Sequence, residues 1–180
     1  MSLSRLFWWI YQLPPADLIR ILLVCTIIFL WLHRQLRDCP WWRGCIIALL
    51  MIWAGVAFWT TILNRSRGAM VEFQMTPFHS YREWLETGNR EILRSSFMNV
   101  ALFYPAGLLF AMVMPRRWSI GRRVVAATAV FVLFSLLIEL IQYWYFLGRA
   151  ESDDVIHNAL GAILGCLNFR WSTSHPHTEK

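Results

Sequence analysis

The chain has 180 residues, of which 57% are hydrophobic and only 16% charged, with a mean hydropathy of +0.44. That composition excludes an ordinary soluble domain and points to an integral membrane protein. The net charge of +6 does not indicate a nucleic-acid binder, because the arginines fall between long apolar runs, where they act as topology signals.

In chain order, residues 1–16 come first. "SRLFWWIYQLPPAD" has one basic residue, a short apolar core and no small-residue cleavage pattern. It reads as a retained interfacial helix stopped by Pro14 and Pro15 rather than as a signal peptide. Four to five segments are then long enough, or nearly so, to cross about 30 Å of hydrocarbon as helices. They run over 17–33, 44–63, 96–114, 123–147 and 155–171, the last being the shortest and carrying Asn158. The expected fold is an all-α polytopic transmembrane bundle over 17–171, with a polar tail at 172–180.

The connections differ in kind. "RQLRDCPWWR" carries three arginines and "PRRWSIGRR" four. If both face the cytoplasm, the N-terminus lies outside and the C-terminus inside. Counting the tails gives nine basic residues inside and eight outside, so the orientation rests on arginine density in the short loops. Tryptophans near the span ends, Trp31, Trp41, Trp42, Trp118 and Trp171 on one side and Trp59, Trp84 and Trp144 on the other, form an aromatic-belt pattern. The long loop, about 64 to 96, interleaves five arginines and four glutamates with aromatic and aliphatic residues. It reads as an amphipathic cap, with helical spacing in "HSYREWLE" and a turn at "TGN".

The connectivity brings polar residues to one side of the membrane. The third span begins, the fourth ends and the last begins there, so Asn99, Glu139, Gln142, Asp154 and Asn158 converge in depth, with Thr60, Thr61 and Asn64 approaching. Ser135, Glu139 and Gln142 form one helical stripe; Asp154, Asn158, Gly161 and Gly165 form another, and the two are expected to face each other. The glycines permit close helix approach. A carboxylate at the depth of Glu139 is costly, so it needs either a raised pKa or a basic partner such as Arg149 or a loop arginine. Glu151, Asp153 and Asp154 read as a solvated loop whose last acid caps a helix. His79 and His157 are isolated in sequence and read as interfacial or packing groups; Pro105 reads as a kink in the third span, with Gly107 easing close packing beside it. No phosphate loop, nucleophile elbow or zinc spacing is present, and Cys25, Cys39, Cys45 and Cys166 are scattered.

"TPFHS", "NVALFYPAGLLF", "SLLIELIQ" and "GRAESDDVIHNALGAILG", in that order, resemble the signature blocks of the VanZ-like family of bacterial membrane proteins. The positions that match are Pro77, Phe78, Asn99, Pro105, Gly107, Glu139, Gln142, Arg149, Asp154, Asn158, Gly161 and Gly165. Gln74 and Glu151 depart from the usual Asn and Asp. The family is named for a protein associated with resistance to the glycopeptide teicoplanin. The resemblance implies a multi-pass protein of the bacterial cytoplasmic membrane.

The leading expectation is an outer-facing polar pocket that binds a cell-envelope component such as a lipid-linked glycan or a glycopeptide. Asn99, Gln142, Arg149, Asn158 and Phe78 are its candidate ligand-binding residues, with Arg149 and the loop arginines meeting anionic groups. An alternative is an enzyme using Glu139 or Asp154 as general base on a lipid-linked intermediate. A third reading is a structural partner of an envelope assembly, with the polar groups, Glu139, Gln142, Asn99 and Asn158, serving as helix glue; Pro77, Pro105, Gly107, Gly161 and Gly165 are the candidate structural positions. No cofactor, metal or nucleic acid is implied; membrane lipids and a membrane-protein partner are.

Overall fold

A computed structural model describes residues 5, 10, 12–63, 73–147 and 149–173. Over these the protein is an all-α bundle of six α-helices. They are α1 (Pro15–Leu36), α2 (Trp42–Phe58, continued by a π-helical turn over Trp59–Leu63), α3 (His79–Thr87), α4 (Arg90–Val113), α5 (Ile120–Trp144) and α6 (Ser152–Thr173). The one β pairing among the described residues is a two-rung parallel ladder. In it β1 (Phe73–Gln74) sets Phe73 opposite Ala150 and Gln74 opposite Glu151 of β2 (Ala150–Glu151).

Among the described residues four helices are long and apolar enough to cross a membrane: α1, α2 with its π turn, α4 and α5. The segment expected as the fifth span forms α6, a helix of 22 residues. It carries Asp153, Asp154, His157, Asn158 and Asn168, and it packs mainly on α4 and α5. The most apolar stretch of α4 is 50% buried, against 17% for α1 and for α2, so α4 is the internal post and α1 and α2 keep most of their apolar surface outward. Among water-soluble proteins such exposure marks an interaction surface; on helices of this length it is the surface lipid covers.

Local chemistry sets the helix boundaries beyond the apolar runs. Pro15 is the first residue of α1, where its fixed φ and missing N–H cost nothing, so it starts this helix. Asn89 accepts from the Glu91 N–H and caps α4, which therefore begins at Arg90 and not near 96. Ser119 caps α5 in the same way. Gly88, at φ 68°, makes the turn between α3 and α4. The expected N-terminal interfacial helix lies mostly outside the described residues, as do residues 64–72 of the long loop and residues 174–180 of the tail.

The core runs around Phe103, against which Trp53, Phe131 and Phe134 pack edge-on or tilted with centroids 5.1 to 6.2 Å apart. Trp53 donates to the Leu102 carbonyl at 2.8 Å, beside the stretch where Pro105, inside α4, supplies no N–H. Trp42, expected in an interfacial belt, is buried and donates to His33 Nδ1 at 2.9 Å. Trp31, Trp41 and Trp144 are exposed, as belt residues should be.

The closest helix contact is α4 against α6. A Cβ on Gly107 would lie 1.9 Å from the Ala162 carbonyl oxygen, one on Gly161 2.3 Å from that of Val100, and one on Gly165 2.0 Å from that of Tyr104. The two backbones touch where these glycines stand. At the far end of α4, the buried Arg123 donates to the carbonyls of Ala111, Pro115, Arg116 and Trp118, with its guanidinium 5.4 Å from the Phe169 ring centre. It satisfies the Ala111 carbonyl of the last turn of α4, which Pro115 cannot reach with an N–H, and ties it to the carbonyls of the following loop.

A polar cleft at one end of the bundle

The opposite end of the bundle is built around Asp153. Its carboxylate is 2% exposed and accepts from the backbone N–H of Phe78 at 2.5 Å and of Ser80 at 2.8 Å. Phe78 makes this possible: at φ 62° it occupies the left-handed region, so the N–H groups on either side of the bend turn toward one anion. The position of Asp153 in the first turn of α6 also suits a negative charge. Asp153, read from sequence as solvated, is thus the buried anchor of α3.

Three further contacts hold α3 in place. Tyr81 Oη and His157 Nε2 share a hydrogen bond at 2.8 Å. Arg149 donates to Glu83 at 3.3 Å and to Glu151 at 3.5 Å. Ser80 Oγ lies 3.5 Å from a Glu151 carboxylate oxygen. The β1–β2 ladder then carries the strand before α3 to the strand before α6.

Between α3, the start of α4 and the β2–α6 junction lies a cleft of about 250 Å³ lined by Ser80, Glu83, Asn89, Glu91, Ile92, Ser95, Ser96, Arg149, Glu151 and Asp154. Hydroxyl, amide, carboxylate and guanidinium groups meet there around a single aliphatic side chain. Among the described residues no group of three His, Cys, Asp or Glu is disposed to hold a metal ion.

The residues singled out from sequence fall into three places. Arg149 and Asp154 line the cleft, and Asn99 supports it from behind, donating from Nδ2 to Asp154 at 2.6 Å. Glu139, Gln142 and Asn158 lie deeper and are buried. Glu139 accepts the Glu151 N–H at 3.0 Å, Gln142 Nε2 donates to the Thr61 carbonyl at 2.9 Å, and Asn158 Nδ2 donates to Ser135 Oγ at 2.8 Å. Pro77 and Phe78 stand on the exposed side, at the bend leading into α3. Asn64 lies outside the described residues.

The two stripes meet at Asn158 and Ser135. The rest of the α6 stripe, Asp154, Gly161 and Gly165, looks at Asn99, Val100 and Tyr104 of α4, because the glycines let α4 come closer than α5 can. Sequence reasoning also missed Ser80, Tyr81, Glu83, Asn89, Glu91, Ser95 and Ser96. The helical spacing of "HSYREWLE" and the Asn in "TGN" were the available signals, since they place these residues on a cap and at a helix start.

A family model described as VanZ/LLP1 matches residues 44–173, well over half of the chain. No curated protein and no solved structure matches the chain.

Proposed function

The chain belongs to the VanZ/LLP1 family, and on that footing we propose that its cleft binds the polar headgroup of an amphiphilic cell-envelope component. The observation that carries this reading is the cleft itself: about 250 Å³ lined almost entirely by hydrogen-bonding side chains, at the end of an apolar bundle. That volume is at the small end of ligand pockets, so it suits one headgroup and not a whole amphiphile. Phe78, Tyr81 and Leu85 are exposed on the same cap and offer apolar surface to an attached chain.

The lining refines the ligand chemistry. Arg149 is held by Glu83 and Glu151, so the cleft presents hydrogen-bonding groups of both signs rather than an open cationic socket. Sugar hydroxyls and amides fit such a lining, as in a lipid-linked glycan or an amphiphilic glycopeptide. A protein holding such a molecule at the outer surface of the bacterial cytoplasmic membrane would alter susceptibility to teicoplanin-type glycopeptides. The seven arginines of the two short loops support placing the other end of the bundle in the cytoplasm.

The test is saturable binding of a labelled lipid-linked glycan precursor to the full chain in lipid nanodiscs. Arg149→Ala and Glu83→Ala should each weaken it about tenfold, equivalent to about 1.4 kcal/mol. Equal retention by both variants and by an unrelated multi-pass protein would sink the proposal. Release of a modified product would assign an enzyme instead.

A further inference from the structure

Behind the cleft, α5 turns Ser135, Glu139 and Gln142 inward on one face, all buried, and Asn158 of α6 is buried against them. The Gln142 side chain is 1% exposed. Its nitrogen donates to the Thr61 carbonyl of the π turn, and a carbonyl can only accept, so the orientation of this amide is fixed. Oε1 therefore points away from Thr61 and has no donor among the described residues. Asn158 presents the same problem: with Nδ2 on Ser135, Oδ1 has no donor there. Turning that amide over leaves its nitrogen unmatched instead, because the Ser135 hydroxyl accepts or donates equally well.

Glu139 lies between these amides on the stripe, four residues after Ser135 and three before Gln142, and it accepts the N–H of Glu151, a residue that lines the cleft. Two buried oxygens without donors thus flank a carboxyl group that stands one hydrogen bond behind the cleft. Buried polar groups in native proteins find partners, and ordered water is the partner they use when no side chain reaches.

We propose that this interior stripe is a hydrated spur of the cleft, in which water donates to Gln142 Oε1 and Asn158 Oδ1 and keeps the Glu139 carboxyl in proton exchange with the outside. The spur is a water site independent of what the cleft binds, so loss of ligand binding does not refute it, nor does a dry spur refute ligand binding. Gln142 and Asn158 are then more than helix glue: they hold a proton route to an acid buried behind the cleft.

Water-edited solid-state NMR of the full chain in bilayers tests it directly. Polarisation from water should reach the Gln142 and Asn158 side-chain amide carbons within about twofold of the time for Glu83 in the cleft, as ordered exchangeable water would give. Transfer as slow as to the Phe103 ring in the dry core would overturn the proposal. In the double variant Gln142→Met, Asn158→Leu, polarisation from water should reach the Glu139 carboxyl carbon at least about tenfold more slowly. Unchanged transfer in that folded double variant would also overturn it. So would a rise in Tm specific to sodium over choline that Gln142→Met abolishes, since that would put a cation where the proposal puts water.

Discussion

At one end of the bundle a buried acid, Asp153, accepts from the backbone N–H groups of Phe78 and Ser80; at the other a buried base, Arg123, donates to carbonyls of the last turn of α4 and of the loop after it. Each ties chain segments that helices leave unsatisfied. At the Arg123 end the guanidinium is used up on carbonyls, with Phe169 packed against it. At the Asp153 end the anchored cap stands away from α4 and leaves a space walled by Glu83, Glu91, Arg149 and Asp154. A buried charge near a membrane surface is therefore no mark of a functional site by itself; the open polar space beside it is.

The comparison can be broken most severely through the seam that joins the two ends. Gly165→Val would drive Cβ into the Tyr104 carbonyl and should cost about 3 kcal/mol or more. Thermal unfolding would show it, with both ends loosened together. Asp153→Ala should come next, at about 3 kcal/mol, because two N–H groups lose a charged acceptor. Proteolysis would then cut selectively between Thr76 and Arg90. If cleavage instead appeared throughout the chain, Asp153 would be holding more than the cap.

Arg123→Met should cost about 2 kcal/mol by leaving the buried Ala111 carbonyl without a donor, yet leave headgroup binding in nanodiscs unchanged. Weakened binding there would mean that the two ends communicate. The smallest effect belongs to the exposed pair of Asp38 and Arg116, 2.8 Å apart. The Arg116 guanidinium beside Asp38 holds its carboxyl below the ordinary value of 3.8. A lowered folded-state pKa means that the pair contributes above that value and is lost as pH falls through the folded pKa. Asp38→Asn should thus shift Tm slightly at pH 7 and not at all at acid pH, where the two proteins should melt together.

Much of this was legible in the sequence. The apolar runs gave the long helices, and "TGN" marked the turn at Gly88, because period and turn chemistry are local properties. Helix starts were harder: Arg90, Glu91 and Arg94 disguise the first turns of α4, and Asp153 and Asp154 those of α6, since charged residues there look like loop to a reading based on hydropathy. The choice between neighbouring acids was not legible at all. Asp153 and Asp154 share one local context. What separates them is that Asp153 meets backbone bent by a left-handed Phe78, while Asp154 meets Asn99. No property of the "DD" pair encodes either encounter.

The reach of the Asp153 contacts bears on how the protein comes into being. Phe78 and Ser80 precede their acceptor by 75 and 73 residues, and Gln74 waits as long for Glu151. During synthesis from the N-terminus, α3 and the whole of α5 emerge before the anchor exists. The cleft accordingly waits for the start of α6, and a ribosome that stops short of it releases a chain with all four long apolar helices and no site. Synthesis of the first turn of α6 is what makes the cleft.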